Sequence, residues 1–310
     1  MKNKLKISVY LVIPLLLLVV FLVIFSLNAY IKQQLLENKI LKSPFSSLTL
    51  AKYPELKNKF TPIISAKGVV VMDKDSKVVL FDKNPNLRFS SASTTKIMTA
   101  LTALSAFKLN DILTVNQSNF EGSVIGLKKG EEMTFENLLF AMLLPSGNDA
   151  ALTIAQNYPG GEIEFIKEMN KNAEKLSLSN TYYSDPSGLD EENYTTPFDL
   201  ARLASFSLAN EEFKRVVATK EKFIFDTSGN TFKVENLNKL LGYDGVNGVK
   251  TGYTEEAGEV LVTSKSYFDN SENREREIII VVMGSQDRFF DTENLLNLVS
   301  GNISYLTIHP

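Results

Sequence analysis

Residues 89–100 of the chain read Phe-Ser-Ser-Ala-Ser-Thr-Thr-Lys-Ile-Met-Thr-Ala. Two threonines separate Ser93 from Lys96 in this stretch, which gives the spacing Ser-x-x-Lys. If a helix begins at the serine, the lysine lies one turn further along the same face and its amine reaches the serine hydroxyl. A serine and an amine in contact can act as a nucleophile and its base. The stretch therefore predicts a helix and, on it, a candidate catalytic pair.

The spacing alone is a weak signal, because Ser105 and Lys108 repeat it near the end of the same predicted helix. A helix N-cap followed by a solvated lysine is the alternative interpretation of Ser93 and Lys96. The apolar residues that follow favour a buried helix, and a lysine on a buried helix is rare unless it is paired or functional. These apolar residues are Ile97, Met98, Ala100, Leu101 and Leu104.

The composition excludes several classes of mechanism. The chain has 310 residues, a hydrophobic content of 44% and a formal net charge of −3, so it is long enough for one large domain or two small ones and has no basic excess for nucleic acid. It contains no cysteine and a single histidine, His309. A Ser-His-Asp triad, a cysteine nucleophile or a zinc site would require the C-terminus to fold back. We expect neither a metal nor a cofactor, and no nucleic-acid partner.

The N-terminus has the pattern of a membrane anchor. Three lysines within residues 2–6 precede Ile7–Leu27, an uncharged run of 21 residues. About 20 apolar residues cross a bilayer, and flanking lysines favour the cytoplasmic side. We predict that residues 1–30 form a single transmembrane helix in the cytoplasmic membrane and that the rest of the chain is extracytoplasmic. A cleaved signal peptide is the alternative, although residues 26–29 match a cleavage site poorly.

Beyond this segment, the sequence predicts a linker over residues 31–62 and one domain over 63–310. Alternating apolar runs predict a hairpin over residues 68–81 and three strands at 248–253, 259–262 and 277–283. Helical patterns are present at residues 136–144, 149 onward, 162–176, 196–208 and 288–299. We predict an α/β (α+β) fold in which an antiparallel sheet joins the N- and C-terminal strands and helices flank it.

Two further motifs follow the Ser93 stretch. Ser146-Gly147-Asn148 lies in a predicted corner between helices, where its side chains can face a cleft or merely cap a turn. The spacing Ser-x-Asn also occurs at Ser26 and Ser300, so this motif is weak alone. Lys250-Thr251-Gly252 is the only Lys-Thr-Gly in the chain.

In this order, the three motifs resemble those of the low-molecular-mass penicillin-binding proteins, the D-alanyl-D-alanine carboxypeptidase family of the β-lactamase/DD-peptidase fold. The sequences that flank the motifs are similar too, and the resemblance extends over residues 67–299. One departure is Asp185-Pro186-Ser187-Gly188-Leu189, where the family commonly has Asn-Pro-His-Gly-Leu. We also expect neither the extra β-domain nor the C-terminal amphipathic anchor of many members.

The resemblance implies a role for each motif residue. Ser93 would be the nucleophile and Lys96 its base, while Ser146 would relay a proton to the leaving amine. Lysine has an ordinary pKa of about 10.4, and lowering the pKa of Lys96 to near neutrality costs about 4 kcal/mol. We expect burial, together with the charge of Lys250, to supply this change.

The remaining roles concern substrate binding. The resemblance implies that Asn148 bonds the substrate backbone and that Lys250 and Thr251 bind its terminal carboxylate, with help from Arg288. Gly252 would let the substrate lie along the strand. The backbone amides of Ser93 and Tyr253 would form an oxyanion hole, in which each donor is worth about 3 to 4 kcal/mol.

The expected activity is removal of the terminal D-alanine from peptidoglycan stem peptides through a Ser93 acyl-enzyme, with β-lactam antibiotics as inhibitors. Three alternatives remain open. A class A β-lactamase would need a general-base glutamate, but none lies between Asn180 and Asp190. An inactive wall-binding or sensor domain would not form an acyl-enzyme. An endopeptidase acting on cross-links would have the same catalytic residues.

Overall fold

The computed structural model describes residues 22–23, 25–27, 53–117, 119–270 and 273–306. The chain divides into two units, residues 1–51 and 52–310. The strands and helices of the second unit are, in chain order, β1 (Tyr53–Leu56), β2 (Gly68–Asp73), β3 (Val79–Lys83), β4 (Phe89–Ser90), α1 (Lys96–Leu104), β5 (Ile112–Thr114), β6 (Glu132–Thr134), α2 (Phe135–Leu143), α3 (Asn148–Gln156), α4 (Gly161–Lys175), β7 (Tyr194–Thr195), α5 (Pro197–Ser207), α6 (Glu211–Val217), β8 (Glu221–Phe225), β9 (Thr231–Glu235), β10 (Val246–Thr254), β11 (Gly258–Asp269), β12 (Arg274–Ser285), α7 (Arg288–Val299) and β13 (Ile303–Leu306).

A five-stranded antiparallel sheet in the order β10-β11-β12-β2-β3 forms the centre of this unit. The N-terminal hairpin β2-β3 pairs with the C-terminal meander through β12, as the sequence predicts. Strand β12 is apolar at every position from Ile278 to Met283 and is buried throughout this run. Such a run is typical of a strand that is covered on both faces.

The two faces of the sheet pack against different helices. Ile279 and Val281 face the larger core, to which α1 and α5 contribute, whereas Ile278 and Ile280 face α7. Each fully buried aliphatic side chain contributes about 1.5 to 3 kcal/mol relative to exposure. The alternation of β12 therefore holds three layers together. Strand β10 lies at one edge of the sheet, beside the turn Ala92–Thr95 that leads into α1.

The predicted helices occur close to their expected positions. The helix predicted over residues 288–299 is confirmed with the same bounds, and Asp287 caps it by accepting hydrogen bonds from the amides of Phe289 and Phe290. Pro197 stands in the first turn of α5, after Thr196, whose hydroxyl accepts from the amide of Asp199. These caps satisfy amide groups that helices leave without internal partners.

The predicted linker over residues 31–62 overlaps the first strand of the second unit. Residues 53–56 of this range form β1, which pairs antiparallel with β13. The amide of Asn58 also donates to Asn302 Oδ1 at 2.9 Å, across 244 positions of sequence. Local sequence patterns do not reveal a pairing over such a separation. Residues 31–52 lie outside the described residues.

The predicted membrane helix falls almost entirely outside the described residues. Only 22–23 and 25–27 of Ile7–Leu27 are described; they are helical, and Leu22, Val23, Phe25 and Leu27 are exposed. Within the described part of the chain, no helix combines the length and the apolar character needed to cross a bilayer.

Candidate active site

Ser93 lies in a single 3-10 turn, Ala92–Thr95, that leads directly into α1. Ala92 has φ 45°, an uncommon conformation for a residue with a side chain. The turn is held by Ser91, whose hydroxyl lies 2.7 Å from Thr95 Oγ1 and whose carbonyl accepts from Thr94 Oγ1 at 2.5 Å. These bonds keep Ser93 at the start of the helix with its side chain partly exposed.

The amine of Lys96 lies at the centre of the site and is fully buried. Its Nζ donates to Ser93 Oγ at 3.0 Å, which confirms that the Ser-x-x-Lys spacing brings the two groups into contact. It also donates to Asn148 Oδ1 at 2.6 Å and to the carbonyl oxygen of Ser187 at 2.7 Å. Three separate segments of the chain therefore meet at this nitrogen.

Burial lowers the pKa of Lys96 to about 7, because the charged form loses its hydration. The carboxylates of Asp185 and Asp149 act in the opposite direction and raise it. Burial is the largest of the causes that act on Lys96, as expected. Burial also lowers the pKa of Lys250, and the positive charges of Lys96 and Arg288 act in the same direction. The repulsion between Lys96 and Lys250 is mutual, so each lysine disfavours the ammonium form of the other.

Asn148 begins α3 and connects Lys96 to the loop over residues 121–127. Its Nδ2 donates to the carbonyl of Glu121 at 2.8 Å, which orients the amide so that Oδ1 faces Lys96. The next residue, Asp149, is buried, and its Oδ2 accepts hydrogen bonds from the amides of residues 125, 126 and 127 at 2.9 to 3.1 Å. The carboxylate therefore fixes the same loop that orients Asn148.

Ser146 lies in the corner between α2 and α3, two residues before Asn148. Its backbone has φ 67°, and its side chain is buried. Its Oγ has no hydrogen-bond partner among the described residues. An unpaired buried hydroxyl is costly, which makes it a candidate to bind an incoming polar group.

Strand β10 passes beside the Ser93 turn on the other side of the site. A Cβ atom on Gly252 would lie 3.2 Å from the amide nitrogen of Ser93, so a larger residue would crowd the turn. Lys250 and Thr251 are buried, and Lys250 Nζ donates to the Thr251 carbonyl at 3.1 Å. The side chain of Tyr253 is exposed.

Arg288, the first residue of α7, reaches this strand. Its Nη1 donates to the carbonyl of Gly252 at 2.8 Å, and its amide donates to Glu259 Oε2 at 2.8 Å. Its buried Nε has no partner among the described residues. The structure therefore brings Arg288 to the backbone of the Lys-Thr-Gly strand.

Sequence reasoning missed the loop over residues 185–190, which supplies the third contact of Lys96. In the sequence, Asp185 is marked only by a departure from the family pattern, yet its two oxygens accept hydrogen bonds from the amides of Ser187, Gly188 and Asp190. Asp149 is marked only as the start of a helical pattern. The Asp-Pro-Ser-Gly turn pattern was the available signal, but the functional group is a backbone carbonyl, which no residue type identifies.

The described residues offer no group of three or more histidine, aspartate or glutamate side chains placed to hold a metal ion. The chemistry available at the site is that of a serine, an amine of lowered pKa and nearby hydrogen-bond donors. This set is suited to acyl transfer.

Comparison with known proteins assigns the family. Residues 56–287, about three quarters of the chain, match the family described as D-alanyl-D-alanine carboxypeptidase. The chain belongs to this family, as the three motifs indicated. The matched range contains Ser93, Lys96 and the Lys-Thr-Gly motif, and it ends one residue before Arg288.

Individual relatives carry the names of different reactions. The D-alanyl-D-alanine carboxypeptidase DacF of Bacillus subtilis is 39% identical over 208 residues, which are 64% of this chain and 54% of that protein. The D-alanyl-D-alanine endopeptidase of Escherichia coli is 30% identical over 266 residues, 83% of this chain and 84% of that protein. The chain thus spans about half the length of the Bacillus relative.

The fold is also found in a solved structure. The Streptomyces K15 DD-transpeptidase matches with a TM-score of 0.70 and 32% identity, over 77% of this chain and 98% of that one. The predicted antiparallel sheet with flanking helices, of the DD-peptidase type, is confirmed.

Proposed function

We propose that the protein is a serine-type D-alanyl-D-alanine carboxypeptidase that removes the terminal D-alanine of peptidoglycan stem peptides. Ser93 Oγ attacks the carbonyl carbon of the penultimate D-alanine, and Lys96 takes the hydroxyl proton. The bond to the terminal D-alanine breaks, its nitrogen receives the proton from Lys96 through Ser146, and an ester on Ser93 remains. Water then attacks the ester, the neutral Lys96 takes a proton from the water, and this proton returns to Ser93 Oγ as the shortened peptide leaves.

The observation that carries this proposal is the set of acceptors around Lys96. Asn148 Oδ1 and the Ser187 carbonyl accept hydrogen bonds and cannot donate them. A neutral amine has two N–H groups and one lone pair, so these two oxygens bind both hydrogens. Once the amine has lost the proton that it donates to Ser93 Oγ, its lone pair faces that oxygen, 3.0 Å away, and can accept the serine proton as a general base requires.

Protonation of the leaving amine is the role we assign to Ser146. Its buried hydroxyl lacks a partner among the described residues, which leaves it able to donate one proton and accept another. Asn148 would bond the substrate backbone in addition to holding Lys96.

The terminal carboxylate would bind near Lys250, Thr251 and Arg288. Burial lowers the pKa of Lys250, with the charges of Lys96 and Arg288 acting in the same direction. An anionic ligand beside Lys250 would act in the opposite direction, because it favours the ammonium form. The backbone amides of Ser93 and Tyr253 would stabilise the oxyanion. The approach of Gly252 to the Ser93 amide supports this arrangement.

The test is incubation with a stem pentapeptide that ends in D-Ala-D-Ala. We expect release of one D-alanine per peptide by the wild type and none by Ser93→Ala. Because relatives are named carboxypeptidase and endopeptidase, a cross-linked stem dimer belongs in the same assay. Cleavage of the dimer alone would replace the carboxypeptidase assignment, and the absence of either product would contradict the proposal.

A β-lactamase is disfavoured by the carboxylates near the site. Asp185 is occupied by backbone amides, and the side chains of Glu191 and Glu192 are exposed. The opened lactam keeps its leaving amine attached over the approach of water, so the penicilloyl ester on Ser93 should persist. An adduct with a half-life of a second or less, and lengthened by Glu191→Gln, would favour the lactamase.

We also propose that residues 1–30 anchor the protein in the cytoplasmic membrane, with the catalytic domain outside. The run Ile7–Leu27 is long enough to span, and its described apolar residues are exposed. The full-length chain should stay in the membrane fraction after alkaline carbonate washing. Release of a chain that begins near Ala29 would show a cleaved signal peptide instead.

A further inference from the structure

The Asp185 side chain forms the centre of the loop over residues 185–190. Its Oδ1 accepts from the amides of Ser187 and Gly188, both at 2.5 Å, and from Ser187 Oγ at 3.1 Å. Its Oδ2 accepts from the amide of Asp190 at 2.5 Å. One carboxylate therefore closes the loop through four hydrogen bonds, which shape the backbone and leave its side chain half-buried.

The loop touches α1 and the Ser93 turn at three successive residues. Pro186 donates no hydrogen bond, but its carbonyl accepts from Thr99 Oγ1 at 2.6 Å. The Ser187 carbonyl accepts from Lys96. A Cβ on Gly188 would lie 1.8 Å from the carbonyl oxygen of Ala92, so the loop backbone packs directly on the turn. A change in the loop must therefore move an acceptor of the catalytic amine.

Three charged groups act on Lys96 from different elements. Asp185 belongs to this loop, Asp149 to α3, and Lys250 to β10. Asp149 fixes the loop on the opposite side through the amides of residues 125–127. Asp185 therefore holds the segment that carries one acceptor of Lys96, whereas Asp149 holds the loop whose Glu121 carbonyl orients the other acceptor, Asn148.

We propose that Asp185 is a positioning residue for acyl transfer, which holds the Ser187 carbonyl against Lys96 so that the lone pair of the amine faces Ser93. The proposal rests on the function proposed above for Ser93 and Lys96. Asp185 does not touch the serine, so it acts through the backbone. Ser187 lies where the family commonly has histidine. Its side chain bonds to Asp185, so its backbone carbonyl is the group that contacts Lys96.

Two variants separate the shape of the loop from its charge. Asp185→Ala removes all four bonds, and displacement of the acceptor should lower the acylation rate about 100-fold. Asp185→Asn keeps an acceptor oxygen and removes the negative charge that favours the ammonium form of Lys96. Below a certain pH the acylation rate falls, and this part of the pH profile is its acid limb. The acid limb should therefore move to lower pH in Asp185→Asn.

The experiment measures the rate of Ser93 acylation by a fluorescent penicillin between pH 5 and 9. Asp190→Asn is the matched control, because it removes a charge from the same loop. Among the described residues, the Asp190 side chain bonds only the amide of Glu192. We expect the limb to move in Asp185→Asn, to stay in Asp190→Asn, and to stay in Ser187→Ala, which keeps the carbonyl. Asp185→Ser replaces Asp185→Asn if that variant does not fold, since serine also forms such turns.

An Asp185→Ala variant that keeps its fold and is acylated within tenfold of the wild-type rate would overturn the proposal, because the Ser187 carbonyl would then not depend on the carboxylate. A role in stability alone would lower the melting temperature of Asp185→Ala without changing its acylation rate or pH profile. Titration of Lys96 by NMR with 13Cε-labelled lysine, assigned by the signal lost in Lys96→Arg, gives the same comparison without turnover. A wild type that is not acylated contradicts the proposed function, whereas an unchanged Lys96 titration and an unchanged acylation rate in Asp185→Ala contradict the role of Asp185.

Discussion

The two ends of α1 carry the same Ser-x-x-Lys spacing in opposite surroundings. At the first end, Lys96 is buried and bonds Ser93 Oγ and two carbonyl-type oxygens. At the second, Ser105 and Lys108 are exposed, and Ser105 Oγ bonds the carbonyl of Thr102 instead of the lysine. The spacing thus allows the serine and the lysine to meet but does not ensure it, whereas burial and the two acceptors make the amine of Lys96 a base.

The difference arises from what packs on each end of the helix. The first end is covered by the Asn148 corner, the loop over residues 185–190 and β10, which exclude water from Lys96. The second end continues into an exposed turn, where Asp111 Oδ2 accepts from the backbone amide of Lys108. Water there can solvate the ammonium of Lys108.

The largest effect should come from the two lysines. Lys96→Ala removes the base and should slow acylation by a fluorescent penicillin about 10³-fold, within the range of general base catalysis. Lys108→Ala is the matched change at the other end of the helix and should leave the rate unaltered. A loss below tenfold in Lys96→Ala would mean that another group takes the serine proton.

The second effect concerns the packing that buries the first end. Gly188 and Gly126 have φ 84° and 92°, so alanine is strained at either, but a Cβ at Gly188 lies 1.8 Å from the Ala92 carbonyl while at Gly126 nothing lies within 4 Å. Gly188→Ala should lower the acylation rate about 100-fold, because the loop must move. Gly126→Ala should cost only about 1 to 2 kcal/mol of stability.

Thermal unfolding and acylation rates measured on both glycine variants separate strain from displacement. Equal losses of acylation in the two would show that left-handed strain alone explains the effect, and that the contact with Ala92 is unimportant.

The third effect is the pH dependence. Burial lowers the pKa of Lys96 to about 7, so the amine is mainly neutral above this pH and mainly protonated below it. The acylation rate should therefore rise with pH up to about 7, change about tenfold per unit below it, and be level above it. A rate that continues to rise toward pH 10 would indicate a solvated lysine, such as the one at the second end.

The sequence predicts the parts of the fold that have a strong local pattern. The apolar run of β12, the Lys-Thr-Gly strand and the capped helix α7 are visible without the structure. The sequence does not predict the hairpin β8-β9. In β8 the large apolar side chains of Phe223 and Phe225 face outward while Lys222 is half-buried, so the alternation of apolar and polar residues does not match the buried face of the strand.

In the candidate site, the sequence likewise identifies some groups and not others. Side chains such as Ser93 and Lys96 are identified by residue type and spacing, but the Ser187 carbonyl and the amides bound by Asp185 and Asp149 belong to the backbone. Backbone groups acquire a function only when the chain brings them together, and here the segments are separated by up to 91 positions. The source of the low pKa of Lys96 likewise depends on burial, which spacing does not give.

The most direct test of the account is to map the covalent adduct formed with a fluorescent penicillin in the intact chain. Peptide mass spectrometry should place the adduct on Ser93 in the wild type and in Ser105→Ala, and should find none in Ser93→Ala that has retained its fold. An adduct on Ser105 or Ser146, or labelling that survives Ser93→Ala, would contradict the assignment of the first end of α1 as the active site.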